Sequence, residues 1–566
     1  METSTTEAIQ SLRWSSQRLR LSKERISTID YQRLARDVLV STVLFYAKVF
    51  VDFGAPPFED AAILMRYAQH LAQGHGIVWN IGEAPVDGAT DFLFMTSAAA
   101  LIKLGLPIGR SVRVLSLGAH ILTVLLVYWA NRRIWGGGIT VSLAAALYLA
   151  VGTGLWYVAA FFGTPFFAFF AVLTWSLALL LMRQDRPSAW LRSLFSVSAV
   201  VTGLVRPEGV LLGSLMLLAV VVVRGAGRSW GIVLSFVATM LVLGGSYFAW
   251  HWSYFGHPLP NPYYKKGGGL LHWDSFWESL GYLVRFAGPF VLAFVLGLGS
   301  RLTRRMSIAF AIPPVLFAAA FILVSNETNF GGRFQYALWP IVLISFFPLV
   351  SDLQLPVRSL WETSATSRIG WLMVGLLLGY ALLRYGAAQS CRLTSAQQTC
   401  AIAYEADGRY ELAKALAEYD DKDYVMATTE AGLLPLYSHW RAVDAWGLND
   451  AWIARNGEIT AEYLDRYVPN LITFHAYYSP LVPPRLNEKN LAQDWFRMTV
   501  TLKTYAEDHG YILAAAFGDS PYETHYYYVR SDFPDSERII QDISTMRNYY
   551  WYATGRKAIN YAGVGP

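Results

Sequence analysis

The sequence predicts a polytopic α-helical membrane protein with a C-terminal α/β domain. Three observations lead there. Apolar residues make up 54% of the 566-residue chain and charged residues only 15%, where a soluble domain carries roughly a quarter. Mean hydropathy is +0.32. Long apolar runs recur to about residue 387, after which the chain turns polar and alternates helical and strand patterns.

Residues 1–34 are polar and basic, with Arg13, Arg18, Arg20, Lys23, Arg25 and Arg33. They read as an amphipathic arm on the cytoplasmic leaflet and lack the apolar stretch of a cleavable signal peptide. A transmembrane domain is expected over 35–387, with its first span at 35–53 and a large outer loop at 56–110. Within that loop, Phe92 to Leu106 is apolar but falls short of the ~20 residues that cross the hydrocarbon core. It also contains Lys103 and ends at Pro107, so it reads as an interfacial helix. This choice sets the sidedness of everything after it. The next span, 114–130, then ends at Arg132-Arg133 on the cytoplasmic side. Later turns holding Arg183 with Arg186, Arg224 with Arg228, Arg301 with Arg304 and Arg305, and Arg358 with Arg368 fall on the same side, as positive-inside counting requires. Arg110 and Arg113 fall on the outer side, against it. Further spans are placed at 137–158, 164–182, 189–205, 209–223, 230–252, 281–300, 307–325, 336–351 and 369–387. The total is about eleven, with the N-terminus inside and the C-terminus outside. Residues 388–566 then form a periplasmic domain with a helix at 403–419 and strands at 423–429, 471–475, 511–517 and 525–530.

The net charge of +5 is small for this length and is accounted for by cytoplasmic turns, so no nucleic-acid partner is expected. Twenty Trp and 33 Tyr suit membrane interfaces and sugar-stacking surfaces equally well. Cys391 and Cys400 either close a short extracytoplasmic loop or stay unpaired. No C-x-x-C pair and no His/Cys cluster suggests a metal.

The polar stretch 56–91 stands out in an otherwise apolar chain. Glu59-Asp60 opens a helical pattern in which Ile63, Tyr67 and Leu71 recur every fourth residue, and Gly74 and Gly76 end it. Asp60 therefore lies at a helix start, where a carboxylate is held in direction. Three further outer segments carry charge: Arg206-Pro207-Glu208, Asn261 to Lys266, and Asn326 to Arg333. Together they offer a carboxylate, several cations and many aromatics at one membrane surface. Such a set suits an anionic amphiphile with its tail in the bilayer and a phosphate as its head. Asp60 would act as general base on an attacking hydroxyl, with Glu59 in support. Lys265, Lys266, Arg333 and Arg206 would hold the phosphate. Arg66, Tyr67, Asn80, Asp87, Asp91, Tyr264 and Glu327 are candidate substrate contacts. Plainer readings stand beside these: Glu59-Asp60 as a helix cap, Lys265-Lys266 as snorkelling interfacial lysines, and Arg206 and Glu208 as a pair closing a turn. His75 and His257 read as structural.

These motifs, taken in order, carry a resemblance. Glu59-Asp60-Ala61-Ala62 through Arg66-Tyr67-Ala68, Gly74-His75-Gly76-Ile77-Val78-Trp79-Asn80, Gly82-Glu83 and Gly88-Ala89-Thr90-Asp91 resemble the first outer loop of GT-C glycosyltransferases. Arg206-Pro207-Glu208-Gly209, Pro260-Asn261-Pro262 with Lys265, and Gly332-Arg333-Phe334 resemble motifs of its mycobacterial terminal arabinofuranosyltransferase branch and related enzymes that arabinosylate pilin. Thr429-Glu430-Ala431-Gly432 and Asp444 to Asp450 resemble that branch's outer C-terminal domain. The resemblance implies a decaprenyl- or undecaprenyl-phosphate sugar donor, with D-arabinofuranose favoured, and a periplasmic glycan or protein acceptor. It also implies a place in the bacterial inner membrane and a catalytic carboxylate at Asp60. The family's acidic pair is Glu59-Asp60 here, and an acid that relatives carry is missing from Phe162-Gly163-Thr164-Pro165, where no role is assigned. Some members use a divalent cation; no ligand cluster for one is evident, and no organic cofactor is required. A flippase for lipid-linked saccharides is the alternative. Paired halves and charges at mid-membrane would favour it, and the sequence has neither.

Overall fold

The computed structural model describes residues 30–267, 271–299, 301, 303–325, 329–351, 407–486 and 493–563. Most of the basic arm, the span at 369–387, Glu327, the side chain of Lys266 and both cysteines lie outside them.

Ten of the eleven expected spans fall on helices, from Tyr31–Phe50 to Leu338–Ser351, and the eleventh is outside the described residues. Five helices are long and apolar enough to cross a membrane, or six if one bent pair is counted as a span. The helices Ala189–Val205, Gly209–Arg224 and Leu338–Leu349 are apolar but shorter. Phe92–Lys103 is only 12 residues long. Small residues such as Ala145, Ala146, Ala168, Ala171 and Ala178 are fully buried and let the helices approach closely. The long span Ala226–Phe255 lies on the rim with most side chains exposed, and it carries a π-helical segment at Met240–Gly244. The run expected as one span at 281–300 is two helices, Trp273–Ala287 and Val291–Gly299, bent by 92°. Gly288, at φ 50°, makes that bend. The first of the two is amphipathic, with Asp274, Glu278 and Arg285.

Arg113, awkward for positive-inside counting, has a packing role. Its guanidinium donates to the backbone carbonyls of Phe53 and Ala55 and stacks over the Phe161 ring at 3.9 Å. It ties down the start of the loop that follows the first helix.

The sheet domain has six strands: β1 (Val425–Thr428), β2 (Arg441–Asp444), β3 (Leu471–Ala476), β4 (Ile512–Ser520), β5 (Glu523–Val529) and β6 (Ile559–Asn560). Their order is β2-β1-β3-β5-β4-β6. β1 runs parallel to β2 and β3, and the remaining pairs are antiparallel. β2 and β6, of four and two residues, were not expected from sequence. One face of the sheet packs on the helical part, so Leu433, Leu434 and Leu436 belong to the same core as the membrane helices. The other face builds a second core around Phe474, Tyr478, Leu502 and Tyr526.

Candidate active site

The helix Glu59–Gln73 is the axis of the site. It begins after Phe58, whose carbonyl accepts from Ala61 and Ala62, and ends at Gly74 with a left-handed φ of 93°. Apolar neighbours bury Ala61, Ala62, Met65, Tyr67 and Ala68 around nearly its whole girth. Successive residues on a helix point about 100° apart, so Glu59 and Asp60 face different parts of the molecule.

Asp60 faces a cavity of about 340 Å³. Its Oδ2 accepts from Arg333 Nη2 at 2.6 Å, across 273 residues of sequence. The Asp60 side chain is 25% exposed and that of Arg333 10%. Arg333 follows Gly331 and Gly332, both at positive φ (64° and 73°), a tight turn that glycine adopts without strain. Its guanidinium lies 4.4 Å from the Phe162 ring and 5.2 Å from that of Phe334. Its Nε is buried with no partner, so donors remain for an anion. Arg206 stands on another wall, 2.8 Å from Glu208 and 3.6 Å from Asp91, with Phe334 between it and Arg333. Burial pushes the Asp91 carboxyl up, against the pull of Arg206. The lining thus holds three carboxylates and two guanidiniums. An anionic head group fits where a guanidinium exchanges partners, and Arg333, with its Nε unpartnered, has donors to spare.

A second cavity of about 270 Å³ adjoins the first, sharing Ala89, Thr90, Pro207, Leu259 and Pro260. It runs along the rim span past Met240, Gly244, Tyr247 and Phe248, where the π-helical segment lies, and past Leu204. Asp87 borders it, paired with His251 Nε2 at 2.7 Å.

Several expected site residues serve another purpose. Glu59 does not reach the cavity; its carboxylate accepts from the backbone N–H groups of Gly432 and Leu433 and lies 3.4 Å from Arg409. A Cβ on Gly432 would sit 2.0 Å from the Glu59 carbonyl oxygen, so glycine permits this approach. Burial pushes the Glu59 carboxyl up to about 8, with Arg409 opposing. Arg66 is buried and donates to the carbonyls of Trp79, Pro435 and Trp440 and to Asn80. Asn80 pairs with the Ala442 backbone through both its amide atoms, and the Tyr67 hydroxyl donates to Asn449. These residues fasten the loop that carries Asp60 to the sheet domain. Lys265 also leaves the cavity: its ammonium donates to the Gly457 carbonyl and lies 4.1 Å from the Trp446 ring, and burial pushes its pKa down. Tyr263, not Tyr264, lines the cavity.

Two features escaped sequence reading. Phe161, at φ 64°, and Phe162, the first residue of the segment 162–165 to which no role was assigned, form a cavity wall. Glu430, His475 and His525 converge in the sheet domain, 45 and 50 residues apart along the chain, where the sequence had suggested no metal ligands.

Among curated proteins none matches the chain by sequence. A model described as Domain of unknown function (DUF8728) matches residues 398–531. By structure, the chain is similar to ArnT from Cupriavidus metallidurans bound to undecaprenyl phosphate. The TM-score is 0.54 at 12% identity, over 88% of this chain and 98% of that one. The apo state of the same protein gives 0.54 at 13% identity, over 88% and 97%. ArnT is a GT-C glycosyltransferase.

The chain has the GT-C fold. Some members of the GT-C group use a divalent cation; among the described residues no three His, Cys or carboxylate ligand atoms converge in this cavity. Asp60 is engaged by Arg333, and Asp91 and Glu208 by Arg206. Among the described residues the only convergent ligand set is Glu430, His475 and His525, away from the cavity.

Proposed function

We propose that the chain is a membrane glycosyltransferase that moves a sugar from a polyprenyl-phosphate donor to an acceptor hydroxyl on the outer side of a bacterial inner membrane. One observation carries the reading. A helix-start carboxylate and an arginine 273 residues away meet in a cavity that continues into an apolar groove along a membrane span. The groove suits the prenyl chain, Arg333 the phosphate and Asp60 the acceptor. The bound phosphate takes over the guanidinium, and Asp60 is released to accept a proton. The acceptor oxygen then bonds to the anomeric carbon as the bond from that carbon to the phosphate oxygen breaks. Its proton passes to Asp60, and polyprenyl phosphate leaves with its charge held by Arg333. The aromatic wall of Phe161 and Phe162 excludes water beside the reacting centre.

D-Arabinofuranose is the proposed sugar, on the motif resemblance of the outer loop and the sheet domain. The acceptor is a periplasmic glycan or protein, with the sheet domain on the same side. Purified protein given radiolabelled polyprenyl-phosphate arabinofuranose and an arabinan or pilin acceptor should label the acceptor. Movement of the intact lipid-linked sugar across vesicles without transfer would replace this reading with the flippase.

A further inference from the structure

The sheet domain contains a second polar centre that the transfer chemistry does not use. His475 on β3 and His525 on β5 face each other as register partners across an antiparallel pair, where side chains stand about 5 Å apart. Their ring centroids are 5.0 Å apart. Glu430 arrives from the end of β1, two residues past Thr428, with its backbone N–H held by the Thr428 hydroxyl at 2.9 Å. The site thus lies where β1 and β3, parallel neighbours, reach their carboxyl ends, the edge at which open α/β sheets bind ligands. All three residues are buried, His525 at 1% exposure. One ligand-type atom from each lies within 4.8 Å of the other two.

Three details point to a cation. The first is a buried nitrogen without a partner. His525 Nδ1 contacts the Tyr549 hydroxyl at 2.7 Å, itself 2.7 Å from the Tyr527 hydroxyl, while Nε2 has no hydrogen bond. A bare buried polar atom is costly unless something fills it. An imidazole anchored through one nitrogen and free at the other is how metal-ligating histidines are held. The second is the carboxylate behind His475: Glu523 Oε1 lies 3.1 Å from His475 Nε2. The third is charge. Glu59, Asp407 and Glu430 all gather on one guanidinium, Arg409, at 3.4 Å, 2.6 Å and in direct contact respectively. Burial pushes the Glu59 carboxyl up to about 8, so it is mostly protonated at neutral pH, and the remaining excess of acidic over basic groups around Arg409 favours a cation. Trp551 and Tyr552 close over the His525 ring at 4.5 and 5.8 Å and keep bulk water away.

We propose that Glu430, His475 and His525 bind a divalent transition-metal ion of the zinc class, which fastens β1, β3 and β5 together beside the Glu59–Arg409 contact. Two imidazoles and a carboxylate suit zinc and discriminate against magnesium, which prefers oxygen donors. The ion is structural. It stands on the far side of Glu59 from the cavity and fixes the platform on which the Asp60 helix rests.

The test uses the full chain in detergent, stripped with a chelator and then loaded with zinc. Bound metal is counted by elemental analysis, and unfolding is followed thermally. Wild type should retain about one equivalent of zinc and gain thermal stability with zinc but not with magnesium. His475→Asn and His525→Asn should bind zinc at least about tenfold more weakly. If these variants misfold, cobalt added to stripped wild type decides: it should give the visible bands of an imidazole-ligated tetrahedral site, which zinc then abolishes. Stripped wild type that takes up no zinc and shows no cobalt bands overturns the proposal, as does full zinc retention in a folded His525→Asn variant. Neither outcome depends on whether the protein transfers sugar.

Discussion

Removing Arg333 should weaken donor binding by about two decades. The guanidinium gives one donor to Asp60 and keeps others for the phosphate. A charge-assisted contact to a phosphate contributes roughly 1.5–3 kcal/mol, or about one to two decades of affinity. Arg333→Ala also leaves the Asp60 carboxylate without its partner beside the incoming anion. At about 5 Å and an effective dielectric of about 20, two like charges repel by roughly 3 kcal/mol, which places the loss at the upper end of that range. The fold should survive, because the Asp60 carboxylate left behind is 25% exposed and lines the cavity, where water can solvate it. Binding of tritiated polyprenyl phosphate to detergent-solubilised protein measures the effect. Arg333→Lys, which keeps the charge but not the fork, should recover about one decade. The double variant Arg333→Ala with Asp60→Asn should bind better than Arg333→Ala alone, since the repulsion is gone. Unchanged affinity in Arg333→Ala, or no recovery in the double variant, would refute the partner exchange.

Three other outcomes follow from the same geometry. Glu59→Ala should destabilise the protein by about 1–3 kcal/mol, because it leaves the backbone N–H groups of Gly432 and Leu433 without their acceptor while Arg409 keeps Asp407 and Glu430; thermal unfolding and protease cutting between the helical part and the sheet domain report it. Gly244→Phe should fill the apolar groove, since nothing but the Met240 sulfur at 3.9 Å stands near a Cβ there. Displacing roughly two methylenes of the donor loses about 1.6 kcal/mol, or ~15-fold in KM, and a short-chain donor analogue should be spared. The third outcome concerns pH. Burial, with Arg66 adding to it, pushes His70 down from 6.5 to about 4. The folded state therefore binds its proton less readily than the unfolded chain. This contribution to stability is complete above pH 6.5 and is lost as pH falls from there to about 4. The depression corresponds to about 3 kcal/mol, so His70→Gln should flatten the acid side of the stability profile, read as Tm against pH.

The sequence made the helical part legible because apolar runs report burial or membrane directly. It also identified the Asp60 helix through its acidic start and glycine stop. It could not separate residues that bind substrate from residues that bind the sheet domain. Arg66, Tyr67 and Asn80 sit in the same motif-rich loop as Asp60, and only the fold shows that their partners are Trp440, Asn449 and Ala442. Lys265 is ambiguous for a related reason: a lysine beside aromatics looks alike whether it meets a phosphate or the Trp446 ring. Phe161 and Phe162 were invisible because an aromatic wall has no signature inside an apolar chain. The pairing of His475 with His525 needs strand register, which sequence does not supply. β2 escaped for want of length, and the 92° bend at Gly288 because apolar composition cannot distinguish one span from two helices.

The most direct test is the transfer rate of Asp60→Asn, measured together with its donor affinity. The amide keeps the volume and can still accept from Arg333, but it cannot take a proton from the acceptor. A positioned carboxylate contributes typically 10²–10⁴-fold to such a step, so transfer should fall by at least about a hundredfold. Donor affinity should hold or improve, because the neutral amide releases Arg333 to the phosphate. A variant that binds donor and still transfers sugar at close to the wild-type rate would contradict the account, leaving Asp60 as no more than the first turn of a helix.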